Sequence, residues 1–143
     1  MIQGARRFEC AAEIPTNAWL PLSGRLRLIA INHDRHAVAH GGVLYCSGQV
    51  PIDPETGKLV EDGPAEQAKR CLENLEVVCA AAETSLGRAL MVSVFVTDLS
   101  AGAEVNAAYA EHFESDPPAR AMVEVAGLPL GAGVEVAAIV ALD

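Results

Sequence analysis

The stretch PARAMVEVAGLPLGAGVEVAAIVAL, residues 118–142, reads as two β-prone runs, Ala121 to Ala126 and Val134 to Leu142, separated by Gly127-Leu128-Pro129-Leu130-Gly131-Ala132-Gly133. A parallel crossover needs about a dozen residues or more, so these runs are predicted to point in opposite directions, whether or not they are neighbours. Two charges are set into this apolar surrounding: Arg120 ahead of the first run and Glu135 near the start of the second. An arginine cannot shed its proton, and in a partly dry pocket it needs an anionic partner. Here that partner is either Glu135 or the carboxylate of a substrate.

The antiparallel order bears on that choice. With Glu135 taken as level with about Val125, some five residues at roughly 3.3 Å each place Arg120 about 16 Å away along the strands. The two side chains are therefore not expected to touch within one subunit. If both serve one site, that site is shared between chains.

Upstream, Leu90 to Thr97 (LMVSVFVT) is a near-continuous apolar, β-branched run, expected for a central strand covered on both faces. Between Pro64 and Leu86, the residues Ala68, Cys71, Leu72, Leu75, Val78, Cys79 and Ala82 recur at three- and four-residue steps and define one stripe of a helix. Pro64 suits its first turn and Gly87 its end. A second helix is predicted from about Ala101 to Glu114, capped by Asp98 or Ser100. Val43 to Ser47 is a short strand bounded by Gly42 and Gly48, followed by the turn-rich Pro51-Ile52-Asp53-Pro54-Glu55-Thr56-Gly57. The first forty residues are irregular, with only Arg25 to Ile31 (RLRLIAI) alternating like a strand. The order strand, helix, strand, helix, strand, strand implies an α+β sheet with both helices on one face.

At 143 residues, 51% hydrophobic and 20% charged, the chain has the size and composition of one globular domain. Its apolar runs fall short of the roughly 20 residues of a membrane helix, and no basic-then-apolar leader opens it. Nineteen acidic against ten basic side chains give a net charge of −9, which repels a phosphate backbone and argues against a nucleic-acid partner. Cys10, Cys46, Cys71 and Cys79 form no CxxC pair and are expected as free thiols in a reducing cytoplasm, the last two as small hydrophobes on the helix stripe. His33, His36 and His40 lack a carboxylate framework and read as solvated loop histidines, not metal ligands. Ser47 has no recognisable base beside it and reads as a hydrogen-bonding wall residue, not a nucleophile.

From Gly41 to Ala141 the chain resembles the RidA (YjgF-type) family of reactive-intermediate deaminases. The resemblance is carried by Leu44-Tyr45-Cys46-Ser47-Gly48-Gln49-Val50-Pro51, Asp53 to Gly57, Glu66-Gln67 with Asn74, and Val94 to Asp98. It continues through Asn106 with Tyr109 and Phe113, Pro118-Ala119-Arg120, Leu128-Pro129, and Val134-Glu135-Val136. It implies a single chorismate-mutase-like α+β domain assembled as a homotrimer with pockets between subunits. The implied activity is hydrolysis of 2-imino and enamine acids to 2-oxo acids and ammonia, without a metal or organic cofactor.

Matched residue by residue, Arg120 corresponds to the arginine that grips the substrate carboxylate and Glu135 to the glutamate that orients or activates water. Ser47 and Gly48 correspond to the pocket wall, and Asn106 to a helix asparagine near the ligand. The chain departs from the pattern in two places. Met122 stands where many members have a cysteine, leaving its backbone N–H as the available donor, and His33-Asp34-Arg35-His36 replaces a Gly-Pro-Tyr type segment that closes the pocket. The same residues would also serve a non-catalytic trimer that binds a metabolite through Arg120. A ribonuclease or translation-inhibitor activity, attributed to some relatives, is disfavoured by the charge.

Overall fold

The computed structural model describes residues 6–8 and 36–142. The expected strand at Arg25 to Ile31, together with Cys10 and His33, lies outside the described residues. Among those residues, β1 (Arg6–Phe8), β2 (Ala37–His40), β3 (Val43–Gln49), β4 (Ala89–Val96), β5 (Ala119–Glu124) and β6 (Val134–Ala141) form one sheet in the order β1-β2-β3-β6-β4-β5. Helices α1 (Pro64–Ala81) and α2 (Gly102–His112) follow β3 and β4 respectively.

Every neighbouring pair is antiparallel except β4 and β5, which are parallel because α2 carries the chain back between them. β5 and β6 therefore run in opposite directions, as the short link between them requires, with β4 lying between them. β2 and β3 form a hairpin that the irregular reading of residues 1–40 did not foresee. Its two loop residues, Gly41 and Gly42, have φ of 60° and 77°, the conformation a tight type I′ hairpin turn demands.

The strands alternate cleanly. Leu44 and Cys46 on β3, Val92, Val94 and Val96 on β4, and Val134, Val136, Ala138 and Val140 on β6 are buried and share one core with the apolar face of α1. That stripe, Ala68, Cys71, Leu72, Leu75, Val78 and Cys79, is the one its periodicity predicted. Cys46, Cys71 and Cys79 are buried free thiols. The other face of the sheet carries Tyr45, Met91, Ser93, Phe95, Glu135 and Ile139, none of them fully buried. A second cover on β4, expected from its unbroken apolar run, is not supplied by the described residues.

Several boundaries differ from expectation, three of them with a consequence for the fold or the site. Helix α1 stops at Ala81, not near Gly87, because Glu83 takes the left-handed conformation with φ of 60° and Thr84 N–H donates back to Cys79 O. Strand β3 continues through Gly48 as an irregularity in its pairing with β6. Strand β5 begins at Ala119, so Arg120 lies inside it. Asp98 caps the 3₁₀ turn Leu99–Ala101 that leads into α2, its Oδ1 accepting Ser100 N–H at 2.8 Å, while α2 itself has Ala101 at its N-cap and no side-chain cap. Among the described residues no helix is long and apolar enough to cross a membrane.

Candidate active site

Arg120 is held on the helix-covered side of the sheet, at its edge. It pairs with Val92, and its side chain turns toward α2. There its Nη1 donates to Asn106 Oδ1 at 2.8 Å, and its guanidinium carbon lies 4.6 Å from the centre of the Tyr109 ring. Asn106 and Tyr109 are three residues apart and so occupy one face of the helix. Met122, two residues beyond Arg120 on the same side of β5, is partly buried against the core and approaches the start of α2 near Gly102. Arg120, Asn106 and Met122 thus form one group.

Glu135 belongs to another group. It alternates with the buried Val134 and Val136 and therefore points to the open face, where its neighbour on β3 is Gly48. A Cβ at Gly48 would overlap the Glu135 carboxylate, so this position admits glycine because the carboxylate occupies the space a side chain would need. Ser47 precedes Gly48 at the exposed side of the same irregularity. Partial burial raises the Glu135 pKa above its ordinary value. Arg120 does not counter this, since it is not nearby.

Register fixes the separation between the two groups. Glu135 pairs with Phe95, and Phe95 pairs with Val123, so Glu135 is level with Val123 and not Val125. Arg120 is level with Val92. About three residue steps along the strands and two strand spacings across give roughly 10 Å in each direction. The side chains also leave the sheet on opposite faces. The expected absence of contact within one subunit holds, with a shorter offset than about 16 Å because the register through β4 levels Glu135 with Val123.

Residues without an assigned role in the sequence hold these groups in place. Gln67 Nε2 donates to Val60 O at 2.8 Å while its Oε1 accepts Gly133 N–H at 2.9 Å, immediately before β6. Asn74 Nδ2 donates to Val50 O at 3.2 Å and Ile52 O at 3.0 Å, immediately after β3. Helix α1 thereby fixes the ends of both strands that bear Gly48 and Glu135. The signal available was a polar side chain on an apolar stripe, as at Asn74. His36 is a correction: far from solvated, its Nε2 is buried without a hydrogen-bond partner among the described residues, and burial lowers its pKa. His40 is exposed on β2, as expected of it.

Residues 25–142 match the family model described as Endoribonuclease L-PSP, a match that begins before the Gly41 boundary read from the motifs. The chain is 41% identical to a RutC family protein of Sinorhizobium fredii, over 79% of this chain and 90% of that protein. It is 36% identical to the human protein named 2-iminobutanoate/2-iminopropanoate deaminase, over 77% of this chain and 80% of the human one. The crystal structure of RidA from an Antarctic Psychrobacter superimposes with a TM-score of 0.75 at 39% identity, covering 78% of this chain and 90% of the other.

Proposed function

This chain belongs to the RidA (YjgF-type) family, and we propose that it hydrolyses small 2-imino acids and their enamine tautomers to 2-oxo acids and ammonia as a cytoplasmic homotrimer. The observation that carries this reading is the division of the site: a guanidinium held at the sheet edge on one face, and a half-buried carboxylate on the other. The likeness to the human deaminase supports the same chemistry.

The reaction asks for a carboxylate anchor, a placed water and a proton carrier. Arg120 spends one N–H on Asn106 and keeps the rest of its fork for the substrate carboxylate, which fixes the C=N carbon in space. Glu135, in its ionised form, accepts a proton from water as the water oxygen bonds to that carbon and the C=N π pair moves onto nitrogen. The nitrogen takes up protons, the C–N bond breaks, and ammonia leaves as the carbinol oxygen becomes the ketone. Burial within the chain raises the Glu135 pKa and the next copy's Arg120 would lower it, opposed influences on a group that both takes and returns a proton. Ser47, Gly48 and the Met122 backbone N–H line the pocket, and no cofactor enters the scheme.

Because the two groups face apart in one chain, the complete site brings Arg120 of one copy to Glu135 of the next. The test generates 2-iminobutanoate with a threonine dehydratase and follows 2-oxobutanoate release with the parent, Arg120→Ala, Glu135→Ala and a refolded mixture of the two variants. Each variant alone is expected to lose acceleration. The equimolar mixture is expected to regain about a quarter of parental activity, since random assembly into a cyclic trimer places intact Arg120 against intact Glu135 at that frequency. A mixture as inactive as its components rejects the shared site. Binding of 2-oxobutanoate by the parent without acceleration would favour the metabolite-binding trimer.

A further inference from the structure

Tyr109 has no part in the proton transfers above, yet it lies directly under the residue that anchors the substrate. We propose that Tyr109 is a positioning residue: with Asn106 it forms a clamp that sets the Arg120 guanidinium in its binding orientation before a carboxylate arrives. This rests on the reading of Arg120 as the carboxylate anchor.

Arg120 needs such a device because of where it sits. β5 is an edge strand with most of its residues exposed, and an exposed arginine there would sample many rotamers. Binding a carboxylate would then require freezing it, at the entropic cost of ordering a rotamer-rich side chain. The two contacts remove that freedom in complementary ways. The Tyr109 ring supports the flat cation from one side, with the guanidinium carbon 4.6 Å from its centre. Asn106 Oδ1 then fixes rotation about the remaining axis through one Nη1 bond of 2.8 Å.

The support is itself rigid. Tyr109 is 7% exposed and packs on Phe113 with ring centres 4.6 Å apart, and Phe113 is flanked by His112 at 4.9 Å. The Tyr109 hydroxyl is buried and has no hydrogen-bond partner among the described residues, whereas the face of the ring lies against the guanidinium and performs the task. Burial raises the phenol pKa, in keeping with a neutral ring beneath a cation. Asn106, matched to a ligand-side asparagine by family resemblance, is here engaged with Arg120 instead.

The experiment uses the full-length protein and two readouts. The first is the ¹⁵N guanidinium spectrum of the ligand-free protein, in which a clamped Arg120 gives hindered, resolved Nη signals. The second is calorimetric titration with 2-oxobutanoate, a stable product analogue of the imine. Tyr109→Leu and Asn106→Ala are expected to average the Arg120 signals and weaken binding by about tenfold, in line with the ordering of one side chain. Tyr109→Phe is expected to restore both readouts. Tyr109→Met takes the place of the leucine variant should that one fail to fold.

Resolved signals and undiminished affinity in Tyr109→Leu would overturn the proposal, as would a Tyr109→Phe variant as weak as Tyr109→Leu. The anchor reading fails separately, if Arg120→Ala binds 2-oxobutanoate as the parent does. In that event the ligand-free spectrum still decides whether the clamp exists.

Discussion

Glu135 is a carboxylate kept where it is mildly uncomfortable. Its pKa is raised by burial, so the folded protein holds the proton more tightly than the unfolded chain does. Stability associated with that proton is fully present below the ordinary value of 4.5 and is lost as pH rises through the higher folded value. Glu135→Gln is therefore expected to raise the melting temperature at pH 7 and to leave it nearly unchanged near pH 4, read by thermal unfolding across that range. In the parent, the rate is expected to fall as pH drops through a Glu135 pKa above 4.5, because protonation removes the base. A gain in stability equal at both pH values would contradict the assigned cause. At this scale the sequence was informative about residue type: a fixed cation and a carboxylate in apolar runs were visible. The partners of Arg120 were not, because Asn106 and Tyr109 lie on a helix whose docking against β5 no local pattern encodes.

Among the elements, α1 does more than fill the core. Its polar residues Gln67 and Asn74 reach the backbone at Val60, Gly133, Val50 and Ile52, and so hold the ends of β3 and β6. Asn74→Ala leaves buried carbonyls without a donor and is expected to cost about 2 kcal/mol in denaturant unfolding. Activity should fall further than stability alone explains, since Gly48 and Glu135 lose their alignment. At the other end of α1, Glu83 occupies a left-handed position with φ of 60° that glycine would adopt without a Cβ clash. Glu83→Gly is expected to raise stability by up to about 1 kcal/mol, a shift in the denaturant midpoint with the slope unchanged. Periodicity revealed the buried face of α1 correctly but not its end. The stop comes from backbone bonds closing on Cys79 and Ala80, made by residues whose types do not announce a helix terminus.

For the molecule as a whole, the decisive feature is the sheet face that the described residues leave uncovered. Tyr45 is 48% exposed and Val123 44%, and Met91, Phe95 and Ile139 are only half-buried beside them. A contiguous apolar surface of this kind marks an interaction site, and in the proposed trimer it is covered by further copies. Ile139 pairs with both Tyr45 and Met91 at the middle of this face. Ile139→Glu is expected to give a folded monomer by light scattering and circular dichroism that has lost deaminase acceleration, although Arg120 and Glu135 are intact. A fully active monomer would refute the shared site. The α+β class, the core stripe of α1 and the opposed directions of β5 and β6 followed from the sequence, because alternation, helical spacing and link length are local and each admits few structures. The strand order that inserts β4 between β5 and β6 depended on tertiary packing, as did the register that levels Glu135 with Val123 and the opposite faces taken by the two functional charges. Those depend on which distant strands pair and on which side the helices settle, choices governed by the summed burial of the whole core and not by any one segment.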